Sequence, residues 1–292
     1  MSDKISRRTF IRRTFGSLFA VATASAGGYY YAKEIETRLL KTNIHSIHHP
    51  MIPIGFDQFK IVQFSDTHLG FHYKVEQLAK VVKEINKLDP DVVFFTGDLM
   101  DEPNKYQNSD EIIPILSNIQ TKYGKFAIYG NHDHGGYGTD IYKDIMVNSG
   151  FTLLQNNNQK IQLLDGSAIY IAGLDDAMLG KPDLEKTVAG IPKDSYKILL
   201  VHEPDLANLA VQYGLQLQLS GHSHGGQVKI PFVGPLITPP YSEQYYEGFY
   251  QVEGPNNDLT LYVNRGIGTT RLPFRFLSKP ELTLFTLSAL KD

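Results

Sequence analysis

The sequence predicts an α/β fold, and two observations carry that prediction. From about Phe56 onward, short apolar runs alternate with segments patterned as amphipathic helices. Several of those runs are rich in Val, Ile, Phe or Tyr, as buried strands are. Size and composition agree: 292 residues, 42% hydrophobic and 20% charged, suit one folded domain with a conventional core.

The chain opens on a segment of different character. Ser6-Arg7-Arg8-Thr9-Phe10-Ile11 has the form S-R-R-x-F-x, Arg12-Arg13 add positive charge, and a charge-free stretch rich in small residues runs from Phe15 to Ala32. This order resembles a twin-arginine export signal, with Ala24-Ser25-Ala26 as the cleavage site. The alternative is a membrane anchor, because the apolar stretch approaches the length that spans a bilayer. Residues 1–32 are therefore read as export signal or anchor. That reading makes the twin-arginine machinery a partner and the destination extracytoplasmic: secreted, in the cell wall, or membrane-anchored. Residues 33–55 read as a linker or short leading helix, with His45, His48 and His49 at the surface, and residues 56–292 as the folded domain.

Within that domain, Phe59 to Phe64 forms the first strand-like run. Val75, Leu78, Val81, Val82, Ile85 and Leu88 then recur at helical spacing, which predicts a helix with one buried stripe ending at Asp89-Pro90. Asp91–Thr96, Lys125–Tyr129, Ala168–Gly173, Lys197–Val201 and Leu215–Leu219 read as further strands. Ile230 to Tyr250, with its Pro, Gly and Tyr content, reads as a long loop or hairpin near a site.

Open α/β sheets place their sites beyond the carboxyl ends of strands, so the residues that follow each run are informative. Phe64 is followed by Ser65-Asp66-Thr67-His68, and Thr96 by Gly97-Asp98. Tyr129 precedes Gly130-Asn131-His132-Asp133, Val201 precedes His202, and Leu219 precedes Ser220-Gly221-His222-Ser223-His224. Five strand ends thus present metal-type ligands to one rim. Asp66 and His68 alternate by two, so on an extended segment both point the same way; His222 and His224 repeat the pattern. Asp98 follows a glycine, where the backbone can approach closely and two carboxylate oxygens can bridge two ions. The chain has no cysteine, which removes thiolate sites and disulfides. Asp, Asn and His ligands suit Mn, Fe or Zn, with Mn preferred, better than Ca or Mg. A net charge of −3 gives no footprint for a nucleic-acid partner.

The order of these motifs resembles the calcineurin-like metallophosphoesterase superfamily over nearly all of the chain after the export segment. Val201-His202-Glu203-Pro204-Asp205, Gly221-His222-Ser223-His224-Gly225-Gly226-Gln227 and Tyr262-Val263-Asn264-Arg265-Gly266 resemble the bacterial YkuE/YaeI-type phosphodiesterases within it. The resemblance implies a four-layer α/β/β/α sandwich of two mixed sheets. It also implies two divalent ions, one held by Asp66, His68, Asp98 and His224 and the other by Asp98, Asn131, His202 and His222.

His132 stands next to a ligand without a ligand role in the resemblance, and is the candidate general acid. A hydrogen bond from Asp133 would keep it protonated near neutrality, or Asp133 only braces the turn. The arginine that follows Gly-Asp in related protein phosphatases is absent, because Gly97-Asp98 continues as Leu99-Met100-Asp101-Glu102. Diesters carry one charge fewer and need fewer arginine clamps, so a phosphodiester substrate is expected, cell-wall or lipid-linked, with Arg265 or Arg271 as alternative phosphate contacts. The competing readings are a pyrophosphatase of a lipid-linked sugar nucleotide of the UDP-diacylglucosamine type, and a non-catalytic metal-binding envelope protein.

Overall fold

The structure is a computed structural model that describes residues 6–255 and 257–290. A helix, α1 (Arg7–Tyr30), opens it, with Ser6 accepting a hydrogen bond from the Thr9 amide as N-cap. The side chains of α1 are exposed or nearly so, and among the described residues no helix is long and apolar enough to cross a membrane. Short helical turns over Tyr31–Ile35 and Glu36–Arg38 lead into the sheets.

The strands in chain order are β1 (Lys41–His49), β2 (Lys60–Phe64), β3 (Val92–Phe95), β4 (Lys125–Ala127), β5 (Phe151–Leu153), β6 (Asn157–Gln162) and β7 (Ala168–Gly173). They continue as β8 (Tyr196–Leu200), β9 (Leu217–Ser220), β10 (Lys229–Ile230), β11 (Gly234–Pro235), β12 (Gly248–Val252), β13 (Leu259–Val263) and β14 (Glu281–Ala289). One six-stranded sheet has the order β1-β14-β2-β3-β4-β5; the other runs β12-β13-β9-β8-β7-β6. Both are mixed, because β14 is antiparallel to β2 while β12 and β6 are antiparallel to their neighbours.

The side-chain alternation of the strands builds the layers. Ile61, Val92 and Phe94 face inward from the first sheet, and Ile171, Ile198 and Leu219 meet them from the second. Their neighbours Val62, Phe64, Val93 and Phe95 face outward onto helices α2 (Val75–Lys87), α3 (Ser109–Ser117) and, beyond a short turn α4 (Asn131–His134), α5 (Thr139–Asn148). The outer face of the second sheet, with Leu199, Val201 and Leu261, is covered by Leu206, Ala207 and Ala210. This is the predicted sandwich of helices on both outer faces of two mixed sheets. The predicted helix stripe is the buried one, since Val75, Leu78, Val81, Val82 and Ile85 all face the core. One buried polar side chain ties the two sheets together at the rim: Gln63 donates to the Thr96 hydroxyl (3.0 Å) and to the Ser220 carbonyl (3.1 Å).

The segment read as a linker is different. Residues 41–49 form a full-length edge strand, paired in parallel with β14 from Lys41–Glu281 to His49–Ala289. Its side chains alternate poorly in hydrophobicity, with Ile44 67% exposed, so backbone pairing with β14 is what makes it a strand. The domain therefore begins near residue 41 and not 56. His45 is partly covered by the rings of Phe249, Tyr262 and Phe285, so it is less a surface residue than expected.

Candidate metal centre

The seven candidate ligands stand after the strands the sequence assigned to them. Asp66 and His68 follow β2, Asp98 follows β3, Asn131 opens α4 after β4, His202 follows β8, and His222 and His224 follow β9. Three strands of the first sheet and two of the second thus deliver them to one rim. Strand alternation, expected from their spacing, does not align the Asp66–His68 and His222–His224 pairs. Residues 65–68 are not extended: Asp66 (φ +53°) and His68 (φ +44°) are left-handed, as are Asp98 (φ +62°), His222 (φ +68°) and His224 (φ +52°). Side chains converge because the backbone coils tightly past each strand end, at a cost of order 1–3 kcal/mol per residue that functional sites commonly carry. The expected close approach at Gly97 is present, since a Cβ there would lie 2.7 Å from both the Gly130 amide nitrogen and His202 Nδ1.

His68 Nε2 and His224 Nε2 are 3.0 Å apart, and His224 Nε2 is 3.4 Å from Asp66 Oδ1. Asp98 Oδ2 lies between the two halves, 3.5 Å from His68 Nε2 and 3.2 Å from His202 Nε2. Asp66, His68 and His224 form one cluster able to hold an ion, and Asp98, His202 and His222 a second. A third such cluster joins His68 and Asp98 to His132, so Asp98 lies between the other two.

Neighbouring groups set which ring nitrogen faces inward. His202 Nδ1–H donates to the Thr96 carbonyl (2.6 Å), His222 Nε2–H to the Pro240 carbonyl (2.9 Å), and His68 Nδ1–H to the Asp101 carboxylate (3.1 Å). Arg275, wholly buried, lies behind His224 with Nη2 3.1 Å from Nδ1. Asp101 and Arg275 escaped the sequence reading. A carboxylate three residues after Asp98 is a signal that could have found the first, whereas nothing in the sequence links Arg275 to a site.

The donor set fits cations. Asp66 and Asp98 are buried carboxylates, and Asn131 Oδ1 is buried with no hydrogen-bond partner among the described residues. Orphaned buried polar atoms cost about 1–3 kcal/mol each, which a bound cation removes. Burial pushes the His222 pKa down to about 3 and, helped by His68 and Arg275, drives His224 well below the usual range, so both rings present lone pairs.

His132 is part-exposed and close to the cluster, its ring 4.6 Å from that of His68. Its Nδ1–H donates to the Asp101 carbonyl (2.7 Å), which leaves Nε2 for a substrate. Burial acts to lower its pKa, but Asp98 and the Asp101 carbonyl and carboxylate outweigh it, and the net direction is up. Asp133 has the other role considered for it. Its carboxylate accepts from the amides of Asp98 (2.8 Å), Leu99 (3.0 Å) and Gly130 (2.8 Å), so it braces the turn that presents Asp98. The partner of His132 is Asp101. His134 pairs with Asp175 (2.9 Å) and stacks on Tyr129, a structural role.

Comparison with known proteins gives the fold and site a family. The calcineurin-like phosphoesterase pattern matches residues 59–226, more than half of the sequence and the span that holds all seven candidate ligands. The chain belongs to that family. This phosphoesterase is 51% identical to the metallophosphoesterase YkuE of Bacillus subtilis (strain 168), covering 98% of this chain and 99% of that protein. It is 29% identical to a metallophosphoesterase of Aquifex aeolicus (strain VF5), over 87% of this chain and 94% of the relative. It is 26% identical to the UDP-2,3-diacylglucosamine pyrophosphatase LpxG of Chlamydia muridarum (strain MoPn / Nigg), over 92% and 95% of the two chains. The family binds two divalent metals, and membership makes this phosphoesterase a metal-dependent phosphoester hydrolase.

Proposed function

We propose that the protein is a phosphodiesterase acting on the extracytoplasmic side, with Mn as the preferred metal. The observation that carries the substrate class is the scarcity of cations at the mouth of the centre. The cavity in front of His132, about 280 Å³, is lined by Asp101, Glu102, Asn104, Asn131, Gly135, Gly136 and Leu179, without lysine or arginine. Arg265 is held by the Glu281 carboxylate (2.5 Å), and Arg275 lies behind His224. A dianionic monoester would enter an acid-lined mouth unclamped, whereas a monoanionic diester needs less. Export rests on the Ser6 to Ala32 pattern.

Two divalent cations held by this ligand set would supply Lewis-acid polarisation of phosphoryl oxygens and a water of lowered pKa. Asp66, His68, Asp98 and His224 would hold one, and Asp98, Asn131, His202 and His222 the other. Asp98, common to both sets, is held by the His132 amide on Oδ1 (2.9 Å) and by the turn that Asp133 braces. His132, tethered through Nδ1, donates the proton from Nε2 to the leaving oxygen.

The test compares kcat/KM for bis(p-nitrophenyl) phosphate and p-nitrophenyl phosphate in metal-reconstituted protein. At least about tenfold preference for the diester is expected, on the scale of one lost charge-assisted contact; the same preference for the monoester defeats the reading. A second reading, cleavage of a lipid-linked sugar-nucleotide pyrophosphate, is favoured by the relative named for that activity and by exposed apolar residues at Phe232, Val233, Leu236 and Ile237.

A further inference from the structure

The β10–β11 hairpin ends in an apolar tip open to solvent. Phe232 is 108% exposed and Val233 75%, and the trailing arm adds Leu236 at 56% and Ile237 at 69%. The Phe232 backbone is left-handed (φ +65°), a region that bulky residues occupy at a cost. Glycine or asparagine would suit both that backbone and the surrounding water, so a phenyl ring is unfavourable there twice over. A surface that took up the ring would offset those costs.

The surroundings indicate what that is. The hairpin springs from the ligand-bearing rim: Val228 bridges Phe276, and the chain leaving the hairpin supplies the Pro240 carbonyl that holds His222. Two residues before Phe276, Phe274 meets Tyr29 at the end of α1, with 6.0 Å between ring centroids, and the Arg275 amide donates to the Ala32 carbonyl (3.0 Å). The exposed helix α1 and the apolar hairpin are therefore rooted on one loop. That loop also exposes Arg271, Leu272, Leu277 and Lys279. Apolar tips interleaved with cations and spread over separate projections match the composition of an interfacial element facing anionic lipid, and lack the continuous face a folded partner would need.

We propose that the hairpin is a membrane-docking element that inserts Phe232 and Val233 into the interface of an anionic phospholipid bilayer, holding the metal centre near the headgroups. The docking goes beyond the choice of ester and stands whichever phosphate ester is cleaved.

The chain contains no tryptophan, so Phe232→Trp in the full chain is a local reporter without background. On addition of phosphatidylcholine vesicles with about 30% phosphatidylglycerol, its emission shifts to shorter wavelength, and acyl-chain-brominated lipid quenches it. Leu164→Trp, on the β6–β7 turn at the end of the second sheet away from the ligands, stays at the solvent value. The double variant Phe232→Gly, Val233→Ser keeps or raises the melting temperature and lowers the vesicle partition coefficient at least about tenfold. F232W emission unmoved by vesicles overturns the proposal, even where α1 brings the chain to them, and so does a partition coefficient unchanged in the double variant. Emission already shifted without vesicles and dependent on protein concentration also overturns it, and assigns the tip to a second copy of the chain.

Discussion

Removing the Asp101 carboxylate tests how far the metal centre depends on groups that do not touch the ions. That carboxylate accepts the His68 Nδ1–H at 3.1 Å and is only 18% exposed, so solvent screens the contact little. Burial acts to raise its pKa, but the hydrogen bond and charge of His68 and the charge of His132 hold it below the usual carboxylate range, so it is ionised at assay pH. In Asp101→Ala the backbone carbonyl that tethers His132 remains, and the loss falls mainly on His68. Outer partners of ligating histidines are typically worth 10- to 100-fold in metal affinity, or about 1.4–2.8 kcal/mol. The expected result is a half-saturating Mn concentration raised by about 30-fold, with kcat at saturating metal within about threefold of the parent. Asp101→Asn, which keeps an acceptor oxygen, should fall between. The assay is diester hydrolysis against free Mn, started from chelator-treated protein. Unchanged half-saturation with a collapsed kcat would refute the reasoning and place Asp101 in the reaction itself.

His132→Ala is expected to lower kcat by about 10²–10⁴, the usual range for a general acid, while metal content by elemental analysis stays at the parent level; equal loss of both would make His132 a ligand. Asp133→Ala leaves three buried amides without an acceptor and should cost about 3 kcal/mol or more, a fall of roughly 6–12 °C in melting temperature. Lost turnover at an unchanged melting temperature would return Asp133 to the chemistry. For the His134–Asp175 pair, burial opposes ionisation of both groups, yet the hydrogen bond and opposite charges raise His134 above 6.5 and lower Asp175 below 3.8. The histidine contribution is lost as pH rises through its folded pKa, and the carboxylate contribution as pH falls through its own. His134→Ala should therefore destabilise by about 1 kcal/mol between roughly pH 4 and 6.5 and by less on either side; a flat difference across denaturation curves from pH 3 to about 8 would count against the pair.

Much of the site was legible because metal chemistry restricts residue type. Asp66, Asp98, Asn131 and His202 could be placed by noting which donors follow strand-like runs, without knowing the path of the backbone there. The path itself was not legible: nothing in Ser65-Asp66-Thr67-His68 announces two left-handed residues, because that coil is imposed by the neighbouring Gly97 and Gly221 segments. Strands with apolar alternation, such as Ala168–Gly173, were recognisable to the residue. β1 was not, because an edge strand held by backbone pairing needs little burial. The role of Asp133 turned on one short helical turn, which decides whether its carboxylate meets a ring or three amides.

The placement of β14 has a consequence for how this chain is made. β14 is second in its sheet, between β1 and β2, and follows every other described strand in the sequence, so those two strands lack it until residues 281–289 have been made. All seven candidate ligands have been translated by His224, more than fifty residues before β14 begins, yet the wall behind them is still split. A nascent chain is thus a half-built sandwich with two bare edges, open to pairing with other chains. A deletion of β14 should therefore yield aggregates in place of a shortened enzyme.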